Sequence, residues 1–276
     1  MSEPITYNIP VSMMDAYRGR KLIVRSRDPA EIVRRLGTHV PETVEYLQIL
    51  GTGGDIDDLL RWDQPIPVDL VVDDPEVDLP RLYRYSPLPA VRPVRVSVPV
   101  APGFGKVVKL ALSLNFAVKL EPSQPEPRLI EELLRVADLY LHQTTVSQPV
   151  EYIHSLFLAF YHGEAVSLWA VQEEDTSRNR FVTDQGVETV SKRFAGVNLK
   201  HDLDSFMKRY TEELLRDKRE CHDCEFFEVC FGYFKWPRKE YRCDGVRTLF
   251  ETLKTAAQEL KTDLSSFEAL KGEERS

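Results

Sequence analysis

The feature that most constrains this chain is a block of four cysteines, Cys221, Cys224, Cys230 and Cys243, spaced C-x2-C-x5-C-x12-C. They are all the cysteines of the 276 residues. A C-x-x-C lets two thiolates on one tight turn grip a single metal centre. The second pair returns from a separate loop and closes the coordination. Four thiolates at such spacing suit tetrahedral zinc or an iron–sulfur cluster. The competing readings are two disulfides or four unrelated buried thiols. Chance clustering explains the block poorly when the first 220 residues hold no cysteine. Disulfides need an oxidising compartment, and nothing in the sequence points to one.

Charge and hydropathy exclude several classes. The net charge of −8 argues against general binding to nucleic acid or to anionic membranes. The first twenty residues lack the apolar segment and cleavage-like site of a signal peptide, and no 18-residue apolar run suggests a membrane span. The expectation is a cytoplasmic protein whose reduced thiols are free to take a metal. Hydrophobic residues make up 42%, enough for a proper core.

Along the chain, residues 1–20 read as a lead-in without periodicity. Strands are expected at 22–26, 44–50, 68–72, 94–100, 116–120 and 139–142. Between them come helical patterns: one capped by Asp28 with Pro29 at its first position, a piece through Leu59 and Trp62, one at 103–114 and one at 126–137. The Pro-rich stretch 75–93 has no clear assignment. An apolar helix is expected at 150–161. Strands alternating with helices imply βα units and a parallel sheet. Six such units fit a partial (β/α)6 barrel, and a doubly wound sheet is the competitor. After residue 163 the pattern changes to an antiparallel meander with strands at 166–172, 180–183 and 187–190. A helix capped by Asp202 then leads to Cys221, and a last helix follows over 244–262. The expected division is 1–163 and 164–276, the latter a small α+β metal-binding domain.

The block Cys221-His-Asp-Cys-Glu-Phe-Phe-Glu-Val-Cys230, with Tyr241-Arg-Cys243 after it, resembles the SPASM domain of radical SAM peptide maturases. In that family such a domain holds two auxiliary [4Fe–4S] clusters. The resemblance implies that Cys221, Cys224, Cys230 and Cys243 hold the outer one. Ligand positions of the inner cluster fall on Phe234 and on Ser191, which follows Gly186, so the resemblance implies that this cluster is lost. The N-terminal part is similar to the radical SAM partial barrel, with Gly51–Asp55 at the place of the motif that binds the amino group of S-adenosylmethionine. The departure comes after the first expected strand. The family carries three cysteines there; this chain runs through Ser26-Arg27-Asp28-Pro29 straight into a helix. The resemblance therefore implies a chain that does not itself generate a radical. Such degenerate proteins accompany true maturases, as in the GeoRSP peptide-modification system.

The expected function is a non-catalytic [4Fe–4S] accessory protein that works with a radical SAM maturase, a ribosomally made precursor peptide, or both. Two alternatives stand beside it: a zinc-stabilised binding module built on the same four cysteines, and a free-standing enzyme using the barrel mouth. No nucleophile–base pair or two-carboxylate site supports the enzyme, and no catalytic residue is assigned. A four-thiolate cluster carries about −2 net charge. Lys218, Arg219, Lys235, Arg238, Lys239 and Arg242 could offset it, and the aromatics from Phe226 to Tyr241 could shield it. His222 is a spare ligand at most. His142, His154 and His162 read as core or boundary residues. Asp73-Asp74 is either a helix cap or a functional pair at a strand end, and Glu173-Glu174-Asp175 reads as a solvated turn.

Overall fold

A computed structural model describes residues 4–197, 199, 203–216 and 220–273, with side chains to residue 267. Its strands are β1 (Thr6–Pro10), β2 (Lys21–Ser26), β3 (Val44–Leu50), β4 (Val68–Val71), β5 (Val94–Pro99), β6 (Ala117–Glu121), β7 (Asn179–Val182) and β8 (Glu188–Thr189). Its helices are α1 (Pro29–Leu36), α2 (Asp57–Arg61), α3 (Pro75–Leu82), α4 (Phe104–Ser113), α5 (Pro127–His142), α6 (Glu151–His162), α7 (Leu168–Val171), α8 (Phe206–Arg216), α9 (Phe227–Cys230) and α10 (Asp244–Glu273).

All eight strands form one sheet in the order β6-β5-β4-β3-β2-β1-β7-β8. Every pairing is parallel except the β7–β8 hairpin. From β1 to β6 the spatial order follows the chain without reversal. A doubly wound sheet needs a reversal, so that competitor is excluded. Right-handed crossovers in such an order keep the connecting helices on one side. Among the described residues the two outer strands do not pair with each other, so the sheet is open.

Registers sort the side chains into two faces. Ile9, Val24, Leu47, Leu70, Val96 and Val118 lie in register-matched rows and are almost wholly buried. They form the apolar face, against which α1 and α4 pack. The opposite face is polar. Arg25 lies beside Gln48, Gln48 beside Asp69 and Asp69 beside Arg95. Asp69 and Ser97 are almost wholly buried there. Buried polar groups are tolerated only when bonded, and these are. Asn8 donates to Gln48 Oε1 at 3.0 Å, and Gln48 donates to Asp69 Oδ2 at 3.1 Å. Arg95 and Ser97 also donate to Asp69, at 3.1 and 2.8 Å.

Several expectations are corrected. The lead-in contains β1, which lies at the heart of the sheet between β2 and β7. No strand forms at 139–142: those residues are the last turns of α5, whose apolar stripe continues through Val136, Ala137 and Tyr140. The six parallel strands in chain order are therefore β1–β6. Residues 166–172 form no strand either; α7 occupies Leu168–Val171, and β7 pairs with β1 in place of it. The Pro-rich stretch holds α3, capped by Asp74, whose side chain accepts from the N–H of Glu76 and Val77 at 2.9 and 3.3 Å. The cap expected at Asp202 lies outside the described residues. The last helix runs to Glu273, well beyond 262, and packs on α6 and α5. Among the described residues no helix is long and apolar enough to cross a membrane.

Candidate metal centre and the cavity beside it

Three short segments bring the cysteines together. Cys221 and Cys224 lie in the turn that follows α8. Cys230 ends α9, and the chain then reverses through two left-handed residues, Phe231 at φ +46° and Gly232 at φ +71°. A Cβ on Gly232 would fall on Leu214 Cδ1 of α8. The glycine thus supplies both the dihedral and the close approach that seat this loop. Cys243 stands at the entrance to α10, its carbonyl accepting from Arg247 N–H at 2.8 Å.

All four thiols are free. All four line one small cavity of about 20 Å³, together with Glu220, Lys235, Arg247 and the rings of Phe226, Phe227, Phe234 and Phe250. Burial pushes the thiols of Cys230 and Cys243 up to about 12 and raises that of Cys221. Lys235 partly offsets the shift at Cys221 and Cys243. At Cys230 the backbone N–H groups of Phe234 and Tyr233 donate to the sulfur and partly offset it too. Such bonds to sulfur tune a bound metal centre. Burial thus keeps the metal-free thiols of Cys230 and Cys243 protonated at neutral pH, so a metal would displace their protons as it bound.

The donor set fits a thiolate-bound metal in type and number. Among the described residues no group of three or more histidine, cysteine, aspartate or glutamate side chains is arranged to hold a metal ion. Tetrahedral zinc at about 2.3 Å from each sulfur brings the four sulfurs within about 3.8 Å of one another. A four-iron core interposes iron and sulfide and holds them further apart.

The surroundings expected of the centre are only partly present. Of the cations singled out in sequence, Lys235 reaches the cavity. Arg238 bonds Gln124, Lys239 pairs with Glu213 and Arg242 with Asp244. Lys218 and Arg219 lie outside the described residues. Arg247, which sequence reasoning missed, lines the cavity. His222 is half exposed, is bonded to Asp223 at 2.7 Å and does not line it. His154 is held by Tyr140 Oη at 2.6 Å.

A much larger cavity, about 580 Å³, opens on the polar face of the sheet. Its walls include Arg27, Asp73, Pro99, Glu121 and Thr183, at the carboxyl ends of strands, where α/β folds carry their function. Asp73 pairs with Arg27 across this rim at 2.9 Å. Residues Gly51–Asp55 do not line it. Thr52 is buried and donates to Asp78 at 2.5 Å.

Glu173 and Glu174 are not a solvated turn. Glu173 has φ +59°, and its carboxylate reaches across to the sheet. It accepts from Lys119 Nζ at 2.6 Å, Arg95 Nη1 at 3.0 Å and Tyr46 Oη at 2.8 Å. Burial pushes its carboxyl up, but Lys119 and Arg95 together outweigh burial and hold it well below the usual carboxylate range. Glu174 is buried and pairs with Arg193. The Arg193 guanidinium stacks on the Tyr233 ring at 4.1 Å. Tyr233 thus lines the large cavity with its side chain while its N–H faces Cys230.

No family model, no curated protein and no solved structure matches this chain.

Proposed function

We propose that this chain is an iron–sulfur accessory protein of ribosomal-peptide modification. In this reading a degenerate partial barrel (β1–β6) is followed by a SPASM-like domain whose Cys221, Cys224, Cys230 and Cys243 hold one [4Fe–4S] cluster. The partners are a radical SAM maturase, a precursor peptide, or both. The observation that carries the reading is the convergence of all four cysteines, from three separate segments, on one aromatic-walled cavity. When bound, the cluster supplies a one-electron centre or a structural knot. Four thiolate ligands leave no iron open for substrate.

Two further features support it. The sequential order of β1–β6 is that of a singly wound barrel fragment. Neither the segment after β1, Val11–Tyr17, nor the turn after β2 holds a cysteine, and at the latter Ser26 bonds Glu31 at 2.7 Å and Arg27 pairs with Asp73. The 580 Å³ cavity is of the size that takes a small ligand or part of a peptide, and paired charges of both signs line it.

A second reading, zinc at the same four cysteines in a protein-binding module, is favoured by the small volume between the thiols. Partner identity separates the functions. Anaerobic affinity isolation from the native cell, with mass spectrometry of what is retained, is expected to return a radical SAM enzyme or its precursor peptide. Recovery of neither, from a preparation that holds its metal, would overturn the accessory role.

A further inference from the structure

Lys235 is the least expected residue of the cysteine region. It is 4% exposed, and a buried ammonium is tolerated only when it is paired and bonded. An apolar side chain would fill the same space at lower cost. Its contacts explain its presence. Nζ donates to Glu220 Oε2 at 2.5 Å and to the carbonyl oxygen of Tyr241. The other oxygen of Glu220 accepts from the backbone N–H of Cys243 at 3.1 Å and lies 3.7 Å from Arg247 Nη2. Glu220 is the chain neighbour of Cys221. Tyr241 lies two residues before Cys243, and Lys235 itself follows Cys230 by five. A single ammonium–carboxylate pair therefore ties together all three cysteine-bearing segments.

We propose that Lys235 is a positioning residue of the metal centre: with Glu220 it straps the Cys243 segment to the Cys221 turn and the Cys230 loop, and so keeps the four thiols grouped. The proposal rests on the reading that these cysteines hold a metal, cluster or zinc. Its charge serves the same end, because it faces Cys221 and Cys243, where thiolate charge accumulates when a metal binds. Groups that orient metal ligands through one intervening contact typically matter roughly 10–100-fold in metal affinity.

The test compares wild type, Lys235→Met, Lys235→Arg and Glu220→Gln, purified anaerobically and challenged with a chelator, bathophenanthroline for iron or EDTA for zinc. Far-UV circular dichroism checks that each is folded. Lys235→Met is expected to release metal roughly 10–100-fold faster than wild type. Lys235→Arg, which keeps the charge and donors for both oxygens, is expected to recover most of the difference. If the centre is a cluster, the absorption and EPR signature of whatever Lys235→Met retains is expected to shift as well, which a purely structural role would not cause. Glu220→Gln loses the ion pair but can still accept from Cys243; it is expected to fall between, and it carries the test if Lys235→Met does not fold. Release from Lys235→Met at the wild-type rate, or no recovery in Lys235→Arg, would overturn the strap while leaving the metal reading intact. Wild type that binds no metal would overturn both.

Discussion

Replacing Glu173 with glutamine removes one charge from the centre of the polar face, and the structure sets what that costs. Lys119 is 5% exposed, and among the described residues its carboxylate partner is Glu173. Its remaining bond is to the Gln172 carbonyl at 3.3 Å. Arg95 is better protected, since Asp69 and Glu151 stay within 3.1 and 3.2 Å. The substitution therefore strands chiefly one buried ammonium. Breaking a buried pair by removing one partner costs about 3–5 kcal/mol, or roughly 6–20 °C in Tm for a chain of this size. The expected remedy is specific. Glu173→Gln combined with Lys119→Met removes the stranded charge and is expected to melt above Glu173→Gln alone. Scanning calorimetry on the wild type, both single variants and the double variant gives the cycle. The pH dependence adds a second check. The Glu173 carboxyl is held below its ordinary range, so its stabilisation is complete above about pH 4.3 and is lost as the pH falls through the lowered folded-state value. The gap between wild type and Glu173→Gln is expected to narrow on acidification below about pH 4. A Glu173→Gln loss under about 1 kcal/mol at pH 7, the value of an exposed pair, or a double variant as unstable as the sum of the singles, would refute the reasoning.

Other expectations concern the cysteine side of the molecule. Trp169 is fully buried, its ring centroid 5.1 Å from that of Tyr233 and 5.8 Å from that of Tyr210, and its Nε1 donates to the Phe231 carbonyl at 3.1 Å; Trp169→Ala should cost about 3–5 kcal/mol in chemical denaturation. Gly232→Ala must hold φ +71° and displace Leu214, and about 1–3 kcal/mol of destabilisation is expected by the same assay. His222→Ala should leave metal content unchanged in elemental analysis, because that ring turns to Asp223 and away from the thiols.

The strands β2–β6 were legible because each is a short, β-branched apolar run bounded by turn residues, and α1 because Asp28 and Pro29 mark its start. β1 was not. Thr6-Tyr7-Asn8-Ile9-Pro10 has one strongly apolar residue, and its central place depends on Asn8 bonding Gln48, a partner 40 positions away. Leu139–His142 looks like a strand in isolation, but it continues the 3.6-residue stripe of α5. Residues 166–172 also look like a strand in isolation, but Trp169 sits in a helical turn, buried against rings from distant segments. The cysteine block was legible down to its four residues, since thiol chemistry and spacing speak locally. Glu173 and Glu174 were not, because an acidic triplet shows no trace of Arg95 and Lys119, 78 and 54 positions from Glu173, or of Arg193, which pairs with Glu174. Those partnerships exist only after the chain has folded. Lys235 was noticed as a nearby positive charge, but its bonds to Glu220 and Tyr241 appear only in three dimensions.

The central claim is that Cys221, Cys224, Cys230 and Cys243 hold an iron–sulfur cluster, and the direct measurement is iron, sulfide and zinc content with absorption and EPR spectra on anaerobically purified protein. The account predicts about four irons and four sulfides per chain, lost in Cys230→Ala. One zinc and no sulfide, or no metal at all, would contradict it.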